Sequence, residues 1–175
     1  MSFSIPEPEL QIDFAASLAE IRQLYLQDGL SEAVQRLEIP EVDKELARHV
    51  PARSLAMLAG HGLRGEMMFP VPLVLRANPR LLGYYRLLYG YSQKEFYGSA
   101  TGVSKFKSME ERGTLGDKNA ANLGALCDAL CQAGVLLLAG IDGRKISAGL
   151  LYDLTLLTLG PQLRGGANVK RGTAG

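Results

Sequence analysis

The stretch Leu81–Gly113 reads LLGYYRLLYGYSQKEFYGSATGVSKFKSMEERG, and it is the part of the chain that says most about the fold. Leucines and tyrosines recur at helical spacing over Arg80–Tyr89, on faces that overlap, which predicts a helix buried on most sides. Ser92 followed three residues later by Glu95 has the form of a capping box. A further helix is expected over Ser104–Gly113, with the serine as its first cap and the glycine as its end. The stretch therefore predicts a series of short, packed helices.

Residues 86–113 also have the form of a helix-turn-helix. Such a motif needs a short supporting helix, a tight turn that commonly contains glycine, and a second helix whose first residues reach the edges of DNA bases. Here residues 92–97 would be the first helix, 98–102 the turn and 104–111 the second helix. The side chains that would then meet bases or phosphates are Gln93, Lys94, Ser104, Lys105, Lys107 and Arg112. A plainer interpretation stays open, in which the block is a set of amphipathic helices with solvated lysines.

Helical periodicity continues in both directions from this block. It predicts helices over Gln11–Gln27, from Ser31 to Leu37, and over Asp43–Val50, Asp117–Leu138 and Ser147–Leu159, with stops at Asp28–Gly29 and Gly160–Pro161. Phe69–Leu75 holds two prolines among apolar residues, so an edge strand or an extended connector is expected there. The predicted fold class is mainly α, a multi-helix domain with a helix-turn-helix-like element and at most one short edge strand.

Length and composition fit a folded chain of one domain, or of one domain and the start of another. The chain has 175 residues, of which 47% are apolar, and 19 basic residues against 18 acidic ones. We expect an N-terminal helical region over residues 1–70, a helical domain over 71–160 and a basic, glycine-rich segment over 161–175. Because the net charge is only +1, any attraction to a phosphate backbone must come from basic residues gathered locally.

Cys127 and Cys131 lie four residues apart in an apolar helical pattern, so we expect both thiols to pack in the core rather than to bind a metal. The N-terminal residues lack the basic and apolar regions of a signal peptide. Ala133–Ile141 is too short to span a bilayer, which predicts a cytoplasmic protein without a membrane partner.

A second candidate DNA-binding segment is GPQLRGGANVKRG, residues 160–172. Glycine lets a backbone approach a groove closely, arginine can pair with guanine, and asparagine or glutamine can pair with adenine. The candidate residues are Gln162, Arg164, Asn168, Lys170 and Arg171. The alternative is a flexible basic tail, and the spacing alone does not decide between the two.

Three phrases in this order resemble the XcyI-type family of type II restriction endonucleases. They are LLGYYRLLYGYSQKEFYGS (residues 81–99), GVSKFKSMEERG (102–113) and LLYDLTLLTLGPQLRGGANVKRG (150–172). The resemblance implies a bacterial, Mg²⁺-dependent homodimer that cuts both strands of a GC-rich palindrome in double-stranded DNA, CCCGGG. It also implies that this chain is the N-terminal, DNA-recognising part, with the nuclease core in a further portion.

The lysine contexts agree with the expectation that catalysis lies elsewhere. Many nucleases hold Mg²⁺ with a carboxylate two residues before a lysine. The residues two positions before the seven lysines are Val42, Ser92, Val103, Lys105, Gly116, Gly143 and Asn168. We therefore assign no catalytic residue and no metal ligand, although a serine or glutamine variant at Ser92–Lys94 stays open, and we expect this chain alone to be inactive. Asp153, in the apolar helix, is expected to pair with an arginine in the core.

Two other functions remain open on the sequence alone. The helix-turn-helix-like phrase would also suit a standalone transcriptional regulator that binds DNA. The leucine-rich helix near the C-terminal end would suit a structural domain that docks onto a partner.

Overall fold

A computed structural model describes residues 2–98, 100–141 and 143–174, and side chains are described for all of these except 23–25 and 163–174. Every regular element in this part of the chain is helical. The α-helices are α1 (Pro8–Tyr25), α2 (Gln27–Gln35), α3 (Ile39–His49), α4 (Ala52–Gly60), α5 (Pro72–Ala77), α6 (Leu81–Leu88), α7 (Gln93–Phe96), α8 (Lys107–Arg112), α9 (Asp117–Ala121), α10 (Leu123–Gly140) and α11 (Ala148–Ala174). Three-residue 3₁₀ turns occupy Gly65–Met67, Ser104–Phe106 and Gly143–Lys145. The prediction of a mainly α fold is confirmed.

Helix α6 lies at the centre of the molecule, and all eight of its residues are buried. It packs against α11 on one side and contacts α1, α2, α5 and α8 on others. This is the behaviour expected of a helix that is apolar all round, because such a helix can exclude water only if other elements cover every face. The helix predicted over Arg80–Tyr89 is therefore confirmed, together with its burial.

Three tyrosine hydroxyls fasten the central helix to the segment before α5. Tyr85 donates to the carbonyl of Glu66 (2.6 Å), Tyr84 to that of Met67 (2.5 Å) and Tyr89 to that of Met68 (2.7 Å). These hydroxyls are buried, and buried polar groups are stable only when hydrogen-bonded. The carbonyls of residues 66–68 thereby gain hydrogen-bond donors from tyrosine side chains.

Helix α10 is the most apolar long helix, and by length and composition alone it is the one helix of the described residues that could cross a membrane. One face is buried in the core, including Cys127 and Cys131. The thiol of Cys131 donates weakly to the carbonyl of Pro70, and His49 Nδ1 lies 2.6 Å from Asp128 Oδ1, which ties α10 to α3. A helix held in this way is typical of the core of a folded domain. The two cysteines are core residues, as predicted.

Of the two alternatives predicted for Phe69–Leu75, no edge strand is found in this described segment, and the extended connector is found only as far as Val71. Val71 is extended (φ −132°, ψ 155°), but Pro72 is the first residue of α5. The φ of proline is fixed near the helical value. Proline also has no N–H, but the N–H groups of the first helical turn have no partner within the helix, so proline is well suited to begin one.

The predicted helix stops need three corrections. The first break falls at Leu26, and Gly29 and Ser31 lie inside α2. The helix predicted over Asp117–Leu138 is divided at Asn122 into α9 and α10. Helix α11 continues through Pro161 instead of ending at Gly160. A proline within a helix frees the carbonyl four residues earlier, here that of Leu157, whose side chain is 71% exposed.

One hydrophobic cluster of buried residues extends from Leu26 to Leu159, and it contains side chains from every α-helix between α2 and α11 except α9. The division of the chain at residue 70 stays a prediction. In α11 the leucine-rich face is only partly covered, because Leu151 and Leu159 are buried while Leu157 is exposed. Asp153 is exposed as well, so the prediction that it pairs with an arginine in the core was wrong.

Candidate nucleic-acid interface

The first part of the predicted helix-turn-helix is α7, a single turn of helix held by its cap. Glu95 N–H donates to Ser92 Oγ (3.2 Å) and Ser92 N–H donates to Glu95 Oε1 (3.2 Å), which is the capping box that the sequence predicts. The hydrogen bond from Ser92 lowers the pKa of the Glu95 carboxyl. Phe96 and Tyr97 pack inward, so the polar side of α7 faces outward.

The second part begins differently from the prediction. Ser104 caps no helix; it opens the 3₁₀ turn Ser104–Phe106, with Val103 at the cap position, and α8 starts only at Lys107. Gly113 ends α8 in the left-handed conformation (φ 66°, ψ 26°), as predicted. Arg80 donates to the carbonyls of Glu110 and Glu111 at this end, where a cation is favoured by the helix dipole. Because α7 and α8 span four and six residues, their role as a helix-turn-helix stays a prediction.

Behind these helices lies an ion pair that is almost completely buried. Arg86 Nε donates to Glu110 Oε1 at 2.6 Å, and the two side chains are 1% and 3% exposed. The other guanidinium nitrogens also have partners, since Nη1 donates to the Tyr91 carbonyl (2.8 Å) and Nη2 to Gln162 Oε1 (3.1 Å). Buried ions are tolerated when their hydrogen-bonding groups are used in this way. One side chain of α6 thus joins the segment before α7 to α8 and α11.

Two of the predicted DNA-contacting residues belong to this network. Gln93 Nε2 donates to Glu110 Oε2 (2.7 Å), and Gln162 accepts from Arg86. Each amide uses one of its two polar groups inward, which leaves Gln93 Oε1 and Gln162 Nε2 as the outward candidates. The network therefore brings one residue of each predicted DNA-binding segment to the same buried ion pair.

The other predicted residues of the block are exposed. They are Lys94, Ser104, Lys105, Lys107 and Arg112. Lys105 Nζ lies 5.2 Å from the centre of the Phe106 ring, and Lys107 forms an ion pair of 3.5 Å with Glu111. An ion pair this exposed contributes little to stability, so both ammonium groups can exchange these contacts for phosphates. The side chains of Arg164, Asn168, Lys170 and Arg171 lie outside the described side chains.

Tyr97 adds a buried hydroxyl beside the ion pair. Its oxygen has no hydrogen-bond partner in good geometry among the described residues. Burial, followed by the nearby charge of Glu110, raises the pKa of this phenol. The hydroxyl is therefore neutral across the physiological range.

A metal centre is not found among the described residues, where no three histidine, cysteine, aspartate or glutamate side chains converge. Mg²⁺ is commonly held by only one or two protein carboxylates together with waters and substrate phosphates, and no carboxylate of the described residues is assigned to it. Catalytic residues therefore stay unassigned.

Sequence reasoning did not find Arg86, Glu110 or Glu66 as structural centres. A signal for Arg86 was present, since a lone arginine in the apolar run LLGYYRLLY must find a buried partner. Which of the two neighbouring glutamates, Glu110 or Glu111, would be that partner depends on the rotation of α8, and the sequence does not determine it.

Fold and site together define the class of protein. The described part of the chain is all helical, and it exposes basic side chains between α7 and Gly113, next to the buried ion pair of Arg86 and Glu110. The chain belongs to the XcyI restriction endonuclease family, because the model of that family matches residues 15–175. The alternative of a standalone regulator is not favoured by this membership.

Two curated relatives are similar over nearly the whole chain. The type II restriction enzyme XcyI of Xanthomonas campestris pv. cyanopsidis is 55% identical over 174 residues, which are 98% of this chain and 52% of that enzyme. The type II restriction enzyme Cfr9I of Citrobacter freundii is 52% identical over 172 residues, which are 97% of this chain and 52% of that enzyme. The chain therefore spans about half the length of these relatives. No solved structure matches it.

Proposed function

We propose that this chain is the DNA-recognising part of a type II restriction endonuclease that cuts both strands of a GC-rich palindrome, CCCGGG. The observation that carries the proposal is the identity of 55% to a type II restriction enzyme over 98% of the chain. The exposed basic block between α7 and Gly113 supports the assignment of DNA contacts to this part.

In this proposal the exposed block binds the phosphate backbone and reaches one groove. Lys94, Lys105, Lys107 and Arg112 supply positive charge, and Ser104 at the start of the 3₁₀ turn supplies a hydroxyl for a phosphate or a base edge. Local clustering matters because the net charge of the whole chain is only +1.

The second segment would supply base contacts. Arg164 would pair with guanine, which suits a GC-rich site, while Asn168, Lys170 and Arg171 would contact neighbouring bases and phosphates. Gln93 and Gln162 would contact DNA with the polar groups that the buried network leaves unused. Arg86 and Glu110 would keep the two segments in a fixed relation.

For the whole enzyme we propose a cytoplasmic homodimer that uses Mg²⁺. A two-fold symmetric dimer matches the symmetry of a palindrome. Since no three metal-ligating side chains come together among the described residues, no chemical step is assigned to them. We propose that this chain by itself binds double-stranded DNA without cutting it.

The test is the salt dependence of binding to a duplex that contains CCCGGG, measured by fluorescence anisotropy. Lys105→Ala together with Lys107→Ala should make the negative slope of log K against log salt shallower by about 1.8, because each lost phosphate contact removes about 0.9 from its magnitude. The same assay on a scrambled duplex measures how much of the affinity is specific.

The matched control is Lys44→Ala with Lys145→Ala, which removes two exposed lysines outside the block. Its slope should equal that of the unaltered chain. An unchanged slope in the Lys105/Lys107 variant would assign the block to a solvated surface. Cutting of the CCCGGG duplex by the chain with Mg²⁺ would refute the proposal that catalysis lies elsewhere.

A further inference from the structure

A groove of about 610 Å³ lies on the side of the molecule formed by α2, the 3₁₀ turn Gly65–Met67 and the start of α11. Its volume is in the range of about 300–1,000 Å³ that is usual for small-molecule sites. Among the residues whose side chains are described, none of the predicted DNA-contacting ones lines it, so the groove is separate from the exposed basic block between α7 and Gly113.

The walls of the groove are mainly apolar. They include Leu30 and Val34 of α2, Leu37 in the segment before α3, Ile39 at the start of α3, and Met67. Only Leu30 of these is fully buried. The remaining apolar surface is open to an occupant that would shield it from water.

Two side chains that line the groove have buried polar atoms without partners. Glu66 is 3% exposed, and its Oε1 accepts from Arg64 Nε at 2.6 Å, but its Oε2 has no hydrogen-bond partner among the described residues. Gln27 Oε1 and Nε2 likewise have no hydrogen-bond partner among the residues whose side chains are described. Leaving a buried carboxylate oxygen unpaired is unfavourable, so a donor that enters here gains more than a donor at the surface does.

The charge around these atoms is negative. Arg64 is shared between Glu66 and Asp43, to which its Nη2 donates at 2.8 Å, and Asp28 lies on the rim. Two carboxylates, Glu66 and Asp28, and one guanidinium, that of Arg64, line the groove, and this guanidinium already donates to Glu66 and Asp43. An additional positive charge is favoured here and an additional negative charge is disfavoured.

We propose that this groove binds a small organic cation, an ammonium or amidinium group on an apolar body. The cationic N–H groups donate to Glu66 Oε2 and Gln27 Oε1, and the apolar body lies against Leu30 and Val34.

The test uses benzamidine as the cation and benzamide as its uncharged isostere, with the 175-residue chain. Binding is followed by ligand-observed NMR and by the shift of the thermal unfolding midpoint, which rises when a ligand binds only the folded state. Benzamidine should bind and benzamide should bind more weakly. Glu66→Gln keeps the shape of the side chain but removes its charge, and it should weaken benzamidine binding about 10- to 100-fold.

Glu32→Gln is the matched control. Glu32 is exposed on α2, the helix that forms one wall of the groove, but it does not line the groove itself. It should leave benzamidine binding unchanged. Ser31→Phe places a bulky group at the exposed rim without altering the core, and it should block binding while circular dichroism shows an intact fold. Equal binding of benzamidine and benzamide, equal effects of the two glutamine variants, or no binding at millimolar benzamidine would each overturn the proposal. If an arginine-containing apolar peptide binds and benzamidine does not, the groove is a protein-docking site, and the proposal is overturned as well.

Discussion

Arg86 shows how one residue can determine the relation between distant parts of the chain. Its guanidinium makes three hydrogen bonds, to Glu110, to the Tyr91 carbonyl and to Gln162, and none of these partners lies on its own helix. A buried ion pair of this kind adds less to net stability than its short distance suggests, because both ions lose their water. Its value lies in geometry, since the three bonds together join α6 to α8, to α11 and to the segment before α7.

Removing one partner of this pair should be costly. Arg86→Met leaves Glu110 buried and without a counter-ion, so we expect the free energy of unfolding to fall by about 3–5 kcal/mol in urea titrations. Lys107→Met, in the exposed pair with Glu111, should cost no more than about 0.5 kcal/mol and serves as the control. If the charge is the cause, Arg86→Met with Glu110→Leu should be less destabilised than the sum of the two single variants. Simple additivity would contradict this explanation.

The buried cysteines make a prediction about pH. Burial raises the pKa of the Cys131 thiol to about 12, and it raises that of Cys127 as well. In the unfolded chain both thiols titrate at about 8.5, so the unfolded state loses protons first as the pH rises. Stability is therefore fully present below about pH 8.5 and falls above it, by up to about 1.4 kcal/mol per pH unit for each thiol.

This fall should be measured by urea unfolding between about pH 8 and 9.5, before tyrosines of the unfolded chain ionise near pH 10. The comparison is a Cys127→Ala, Cys131→Ala variant, whose stability should change less over the same interval. Identical pH dependence of the two proteins would show that the thiols do not carry the effect.

At the scale of elements, local signals predicted helices well and their ends less well. The capping box at Ser92 and the glycine at residue 113 were found from the sequence because each acts within a few residues. The continuation of α11 through Pro161 could not be found in this way, since it depends on what α11 packs against. Pro72 was misread because a proline is compatible both with an edge strand and with the first turn of a helix.

Gly83 in α6 is needed for close packing rather than for backbone freedom. A Cβ atom there would lie 2.6 Å from Glu110 Oε1 and 2.9 Å from its Cγ, and Glu110 is fixed by Arg86. Gly83→Ala should therefore destabilise the protein by about 1–3 kcal/mol in urea unfolding, as overpacking does. Gly124→Ala, in α10 with nothing within 4 Å of the new atom, should stabilise it by about 0.5–1 kcal/mol. Changes of the same sign at the two positions would contradict the packing argument.

At the scale of the whole molecule, the class of fold could be predicted and the candidate site only in part. Apolar periodicity identified a helical chain because the period follows from local geometry. The exposed lysines were found because charge is visible in a sequence. The buried partners of Arg86 were not found, since Glu110 and Gln162 lie 24 and 76 residues away and meet it only after packing. The groove beside Glu66 was not predicted for the same reason, because its walls come together only when distant segments pack.

The proposed palindromic site makes a prediction about stoichiometry. A CCCGGG duplex has two identical halves, so two copies of the chain should bind it in a two-fold symmetric arrangement. Leu136 and Leu157, 75% and 71% exposed, leave apolar surface on α10 and α11 that a second copy could cover, which would favour binding of the pair over binding of one.

Native mass spectrometry should show two chains on the palindrome and one chain on a duplex that carries a single GGG half. Leu136→Lys should reduce the share of doubly bound duplex, whereas Ile12→Lys, at a 67% exposed position of α1, should not. A single chain on the palindrome at saturation would refute the symmetric arrangement, and equal effects of the two lysine variants would exclude α10 from the contact.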